Sequence, residues 1–100
     1  MGSYRVAIWD GVPEGRLRED LITGLLLYVE DGRWCQVAWT PPCDTDEDVI
    51  REAKSAADID SVHGKRDESG WREGPLNSYG PFYAGDRQLA EPRRIVELSR

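Results

Sequence analysis

The sequence is poor in the residues from which catalytic and metal-binding sites are built. Its 100 residues include one histidine and two cysteines, and the cysteines lack the two- to four-residue spacing that is typical of structural zinc. No glycine-rich phosphate-binding pattern is present. We therefore expect neither a metal centre nor a nucleotide-binding loop, and no cofactor.

Long apolar runs are missing as well. No stretch approaches the roughly 18 apolar residues of a membrane-spanning helix, and the N-terminal residues lack a signal-peptide pattern. We therefore expect a cytoplasmic protein in which Cys35 and Cys43 are unoxidised thiols. The formal net charge of −6 disfavours binding to nucleic acid or to an anionic membrane, and it suits a basic partner.

The strongest structural signal is a β-hairpin at residues 24–40. Asp31 and Gly32 form a two-residue turn signal, because both tolerate the positive φ angles that a type I′ turn requires. Apolar runs lie on either side of this turn. We expect strands at residues 24–30 and 33–40.

Extending the pairing from this turn puts apolar side chains on both faces of the hairpin. One face would carry Leu26, Tyr28, Cys35, Val37 and Trp39. The other would carry Leu25, Leu27, Val29, Trp34 and Ala38, with Gln36 as its one polar member. A hairpin that is apolar on both faces needs a cover on both faces.

The clearest helix signal covers residues 46–57. Thr45 precedes an acidic first turn and is followed by Asp48 three residues later, which is close to a capping box. An apolar stripe at helical spacing follows. We expect the helix to end near Asp58, with Ile59 against the core, and to lie across one face of the hairpin.

The remaining segments complete an α+β domain at residues 1–100. Alternating apolar residues predict a strand at 4–10, and short strands are possible near 70–73 and 81–84. Residues 16–22 fit either a helical turn or a loop, and the tail after Pro92 favours a strand over a short helix. The predicted architecture is an antiparallel sheet of three to five strands with one main helix on one face.

The acidic run at residues 44–48 resembles the opening of an EF-hand calcium loop. Such a loop needs glycine at its sixth position and glutamate at its twelfth, but this sequence has Val49 and Ser55 there. The run is therefore interpreted as the start of the helix, and no metal ligand is assigned.

The candidate binding residues are aromatic. Four of them lie in a glycine- and proline-rich stretch, residues 67–86, and one lies on the hairpin. These residues are Trp71, Tyr79, Phe82, Tyr83 and Trp39. Tyrosine and tryptophan dominate interface hot spots, so the stretch predicts a binding loop. The alternative is that these rings fill the second, uncovered face of the hairpin.

A catalytic alternative rests on His63, the single histidine. It could act as a general base, with Cys43 as a nucleophile, although no catalytic motif surrounds either residue. A third possibility, a homodimer whose sheets pair, stays open.

The sequence favours a non-catalytic acidic protein-binding module: an inhibitor, an immunity-type factor or a regulatory partner of a larger protein. The alternative is a small-molecule-binding or small enzymatic α+β domain. That domain would use His63 and a pocket lined by Trp34 or Trp39 together with Trp71 and Tyr79.

Overall fold

Seven strands and one helix make up the part of the chain that the computed structural model describes, namely residues 2–11, 21–64, 70–74 and 81–99. In chain order they are β1 (Ser3–Asp10), β2 (Ile22–Glu30), β3 (Arg33–Trp39), α1 (Asp46–His63), β4 (Arg72–Glu73), β5 (Tyr83–Ala84), β6 (Arg87–Gln88) and β7 (Arg94–Leu98).

Five of the strands form one antiparallel sheet in the order β4-β3-β2-β1-β7. The helix α1 packs mainly against β2 and β1. This arrangement confirms the predicted α+β class, the sheet of three to five strands and the strand in the C-terminal tail. The strands β5 and β6 form a separate small hairpin. The candidate helical turn at 16–22 lies mostly outside the described residues.

The β2–β3 hairpin has the predicted turn, with positive φ at Asp31 and Gly32. Its register differs from the prediction beyond Leu27, where an irregularity places Val37 as an extra residue on β3. Such a β-bulge reverses the faces of the residues that follow it. The predicted faces of Ala38 and Trp39 are therefore wrong: Ala38 lies opposite Leu26 on the helix side, and Trp39 lies opposite Leu25 on the other side.

The helix α1 begins as predicted. The Thr45 side chain accepts a hydrogen bond from the Asp48 backbone N–H at 3.1 Å. It ends later than predicted, at His63, where the N–H of Gly64 donates to the Asp60 carbonyl at 2.7 Å. The predicted end near Asp58 was wrong, because no glycine or proline interrupts the helical segment before Gly64.

One hydrophobic core lies between α1 and the sheet. Its buried members are Tyr4, Val6, Ile8, Leu26, Val49, Ala53, Ala57 and Leu98. Gly24 of β2 lets the helix approach closely, since a Cβ atom there would overlap Cγ1 of Val49 and lie 2.8 Å from Cγ2 of Val6.

A second core lies on the opposite face of the sheet. Its buried members are Ala7, Leu25, Leu27, Trp34 and Phe82. Phe82 precedes β5, and Leu89, which follows β6, also packs here. The N–H of Leu89 donates to the Phe82 carbonyl at 2.9 Å. The β5–β6 segment thus supplies the second cover that the doubly apolar hairpin requires.

Candidate functional site

A shallow groove runs between the second half of α1 and strand β3. Its volume is about 340 Å³. The residues that line it are Val37, Ala38, Ala56, Ile59, Asp60, His63 and Gly64. Aliphatic carbon supplies the floor and one wall, and the polar members belong to the last turn of the helix and its cap.

Two features that differ from the sequence prediction create this groove. The bulge at Val37 leaves Ala38 exposed beside the helix. The helix also continues past Asp58, so Ile59 and His63 form a wall over β3. Without the bulge the floor would lack Ala38, and a helix ending at Asp58 would leave the wall without Ile59 and His63.

Ile59 and Val62 are the large aliphatic side chains that stay mostly exposed in the described part of the chain, at 62% and 73%. They lie three positions apart on one helix, so they are neighbours on its surface. The expectation that Ile59 packs against the core is therefore wrong. Exposed apolar side chains beside an apolar groove mark a surface that a partner can cover.

The charged end of the groove is held in place by the sheet. The hydroxyl of Tyr4 donates to Oδ2 of Asp60 at 2.6 Å, and Tyr4 itself is buried on β1. His63 is exposed at the C-terminal end of α1. The groove therefore combines an apolar floor with a fixed carboxylate at one end.

The predicted aromatic site is divided between the two faces of the sheet. Phe82 is 1% exposed and packs against Trp34 and Trp9, with ring centroids 5.1 and 5.6 Å apart. Phe82 is therefore a core residue, as the alternative interpretation of the aromatic stretch predicted, and its side chain is not on the surface. Trp39 is half-buried on the same face, 5.4 Å from the Trp9 ring.

The other candidate rings that the structure describes, Trp71 and Tyr83, each contact an arginine side chain. Trp71 is half-buried on the helix face, 5.9 Å from the ring of Tyr28, and the Arg33 guanidinium stacks on it at 4.2 Å. Tyr83 is half-buried, with the Arg72 guanidinium 4.7 Å from its ring centre. Tyr79 lies outside the described residues. Trp34 and Trp39 lie on the face of the sheet opposite Trp71. Neither of them can therefore line one pocket with Trp71, as the small-molecule hypothesis required.

The geometry also separates Cys43 from His63. Cys43 lies near Asp48 and Glu52 in the first half of α1, whereas His63 ends the helix, and the helix rises about 16 Å between Glu52 and His63. Burial, and then the charges of Asp48 and Glu52, raise the pKa of the Cys43 thiol above its ordinary value of 9.0. A protonated thiol is a poor nucleophile. The suggested pairing of a Cys43 nucleophile with a His63 base is therefore wrong. Neither cysteine is in a disulfide bond.

A second charged cluster joins the start of α1 to the ends of two strands. Arg93 reaches Asp10 at 3.1 Å and Asp46 at 2.8 Å, while Arg94 reaches Asp46 at 3.0 Å. Hydrogen bonds from Arg93, and then from Arg94, hold the pKa of Asp46 below its ordinary value. These ion pairs fasten β7 and β1 to the helix, and they lie at the end of α1 opposite the groove.

Within the described ranges, no group of three or more histidine, cysteine, aspartate or glutamate side chains is placed to hold a metal ion. The described helix is not apolar enough over its length to cross a membrane.

Sequence reasoning missed Ala38, Ile59 and Val62 as site residues, since it followed the aromatic rings. The available signal was the apolar pair Ile59 and Val62 at helical spacing beyond the expected helix end.

Comparison of the chain with protein-family models, with curated proteins and with solved structures finds no match.

Proposed function

We propose that the protein is a non-catalytic binding module that docks a larger protein through the groove between α1 and β3. The observation that carries this proposal is the exposure of Ile59 and Val62 beside an apolar groove. Each face of the central hairpin already packs into a hydrophobic core. These two side chains therefore contribute little to the fold, and a partner would bury them.

Charge supports a basic partner. The chain carries a formal net charge of −6, and Asp60 lies at the groove itself. A cationic surface would approach faster than a neutral one and would find an opposite charge at the contact. An inhibitor, an immunity-type factor or a regulatory subunit would use such a surface.

The test is a capture experiment with uncharged substitutions. Ile59→Ser and Val62→Ser each remove an exposed apolar side chain, whereas Lys54→Ser removes an exposed side chain that does not line the groove. We expect tagged wild-type protein and the Lys54 variant to retain one stoichiometric protein from source lysate. The Ile59 and Val62 variants should lose it with nearly unchanged thermal midpoints.

Retention by all variants, or no stoichiometric capture by the wild type, would overturn the proposal. Light scattering on the purified chain adds a second criterion. A dimer that dissociates in the Ile59 variant would mean that a second copy covers this surface.

Small-molecule binding is the second candidate. The groove volume falls within the range of ligand sites, about 300–1,000 Å³, and His63 lies on its rim. None of the described residues that line the groove is a phenylalanine, tyrosine or tryptophan, however, and ligand sites normally enclose their ligand. Lysate capture separates the two candidates: a protein-docking surface should retain one stoichiometric protein, whereas a small-molecule site should retain none.

A further inference from the structure

We infer that the partner segment in this groove is a basic amphipathic helix that lies beside α1 and across β3. This inference rests on the proposed function and specifies its mode of docking. Three observations support it: the width of sheet that α1 leaves uncovered, the shape of the groove wall, and the charge of α1.

The sheet is wider than the helix that covers it. Neighbouring strands lie about 4.8 Å apart, and a helix with its side chains is about 10 Å across. One helix therefore covers about two strands, and α1 packs mainly on β2 and β1. At the groove this leaves one described strand, β3, beside α1, since β4 pairs only with Arg33 and Trp34. Strand β3 presents Val37 and Ala38 as an apolar floor on which one edge of a second helix can pack.

The wall of the groove has the surface pattern that packs against another helix. Ala56, Ile59 and His63 follow one another at helical spacings of three and four residues and face the same side. Alanine lets a neighbouring helix approach closely, and Ile59 supplies a ridge that fits between side chains of the neighbour.

The acidic charge of α1 favours a partner helix that is basic. The helix contains two basic residues, Arg51 and Lys54, against six acidic residues. Two of the six are paired with arginine at the start of the helix, Asp46 with Arg93 and Arg94 and Asp48 with Arg51. Glu52 lies one turn before Ala56 on the side that faces β3, and Asp60 lines the groove. Lysine or arginine at the margins of an apolar stripe would meet these carboxylates, whereas a second copy of this acidic chain would bring like charges together.

Strand β3 is a poor template for an added strand. The bulge at Val37 interrupts its regular ladder, and β4 already pairs with Arg33 and Trp34. Bulges and short covering strands are the usual means by which proteins block edge pairing. A helix needs no backbone pairing with β3, so the bulge does not hinder it.

The experiment uses the full chain and a defined probe. The probe is a leucine–lysine peptide of about four helical turns with the leucines on one face. A scrambled peptide of identical composition is the control. We expect the probe to bind at least about ten times more tightly than the scrambled peptide and to gain helical circular dichroism in the complex. Methyl signals of Ala38 and Ala56 should shift in NMR spectra.

The variants used in the capture experiment also show where the probe peptide binds. We expect Ile59→Ser to weaken probe binding about tenfold and Lys54→Ser to leave it unchanged. Equal binding of the probe and the scrambled peptide would indicate nonspecific attraction and would overturn the inference. If Ile59→Ser abolishes protein capture while the probe gains no helicity or leaves Ala38 unshifted, helical docking fails and the binding module stands. If the Ile59→Ser variant also still captures the protein, both helical docking and the proposed binding module are overturned.

Discussion

The side-chain amide of Gln36 hydrogen-bonds both backbone groups of Tyr83. Its Nε2 donates to the Tyr83 carbonyl and its Oε1 accepts from the Tyr83 N–H, each at 2.9 Å. Gln36 is the one polar residue on an otherwise apolar predicted face, and this pairing satisfies both ends of its amide. The contact attaches the β5–β6 segment to β3, so a side chain performs the role that a neighbouring strand normally has.

Replacing the Gln36 amide should weaken the attachment of the β5–β6 segment to the sheet. We expect Gln36→Leu to lower the free energy of unfolding by about 1–3 kcal/mol, because the Tyr83 N–H and carbonyl lose their partners in a partly buried position. Chemical denaturation of the purified protein measures the loss. Gln88→Leu is the matched control, since Gln88 is exposed and should change stability by less than about 0.5 kcal/mol. Equal midpoints for the two variants would contradict a bridging role.

Phe82 should behave as a core residue. We expect Phe82→Ala to cost about 3–5 kcal/mol, a large part of the 5–15 kcal/mol that stabilises a small domain. Phe82→Leu should cost less, because it keeps most of the buried volume. Thermal unfolding distinguishes this from a surface role. An alanine variant with an unchanged midpoint but weakened partner capture would place the ring at an interface instead.

Gly24 should be intolerant of a side chain. A Cβ atom there would overlap Cγ1 of Val49 on α1, and overpacking of this kind typically costs about 1–3 kcal/mol. We expect Gly24→Ala to destabilise the protein. In a double-mutant cycle, Val49→Ala should remove part of that cost, since it makes room for the added methyl group. Strictly additive losses would show that the helix does not limit the space at Gly24.

The ion pairs of Asp46 should make stability depend on pH in the acid range. Because Arg93 and Arg94 lower the pKa of Asp46 in the folded state, its carboxylate form stabilises the fold. That contribution is complete above the ordinary pKa of 3.8 and is lost as the pH falls through the lower folded value. Asp46→Asn should therefore flatten the loss of stability below about pH 4. An unchanged acid profile would argue against this linkage.

Local sequence signals were sufficient for much of the fold. The Asp31–Gly32 turn and the Thr45 cap depend on residues within a few positions of each other, and both are found where predicted. The bulge at Val37 was not predictable in this way, because two apolar faces leave the register weakly specified. The residues at the bulge contact partners that are distant in sequence: Gln36 bonds to Tyr83 of β5, and Val37 packs against the core beneath α1.

The candidate site was less predictable than the fold. Selecting aromatic residues by type pointed to Phe82, whose burial depends on β1 and β3 side chains far away in the sequence. The groove depends on how far α1 extends and on where β3 bulges. The position of Ile59 depended on where the helix ends. If the helix continues past Asp58, each residue advances about 100° around the helix axis, and Ile59 then faces away from the buried stripe.

The pairing of β1 with β7 has a consequence for synthesis of the chain. Tyr4 lies opposite Leu98, so β1 acquires one of its two neighbours from β7, which is synthesised after the other described strands of this sheet. The β2–β3 hairpin can close within microseconds of leaving the ribosome, but the far edge of β1 stays open until residues 94–98 have been translated. A stalled or truncated chain would present that edge to other nascent chains, which is a recognised route to aggregation.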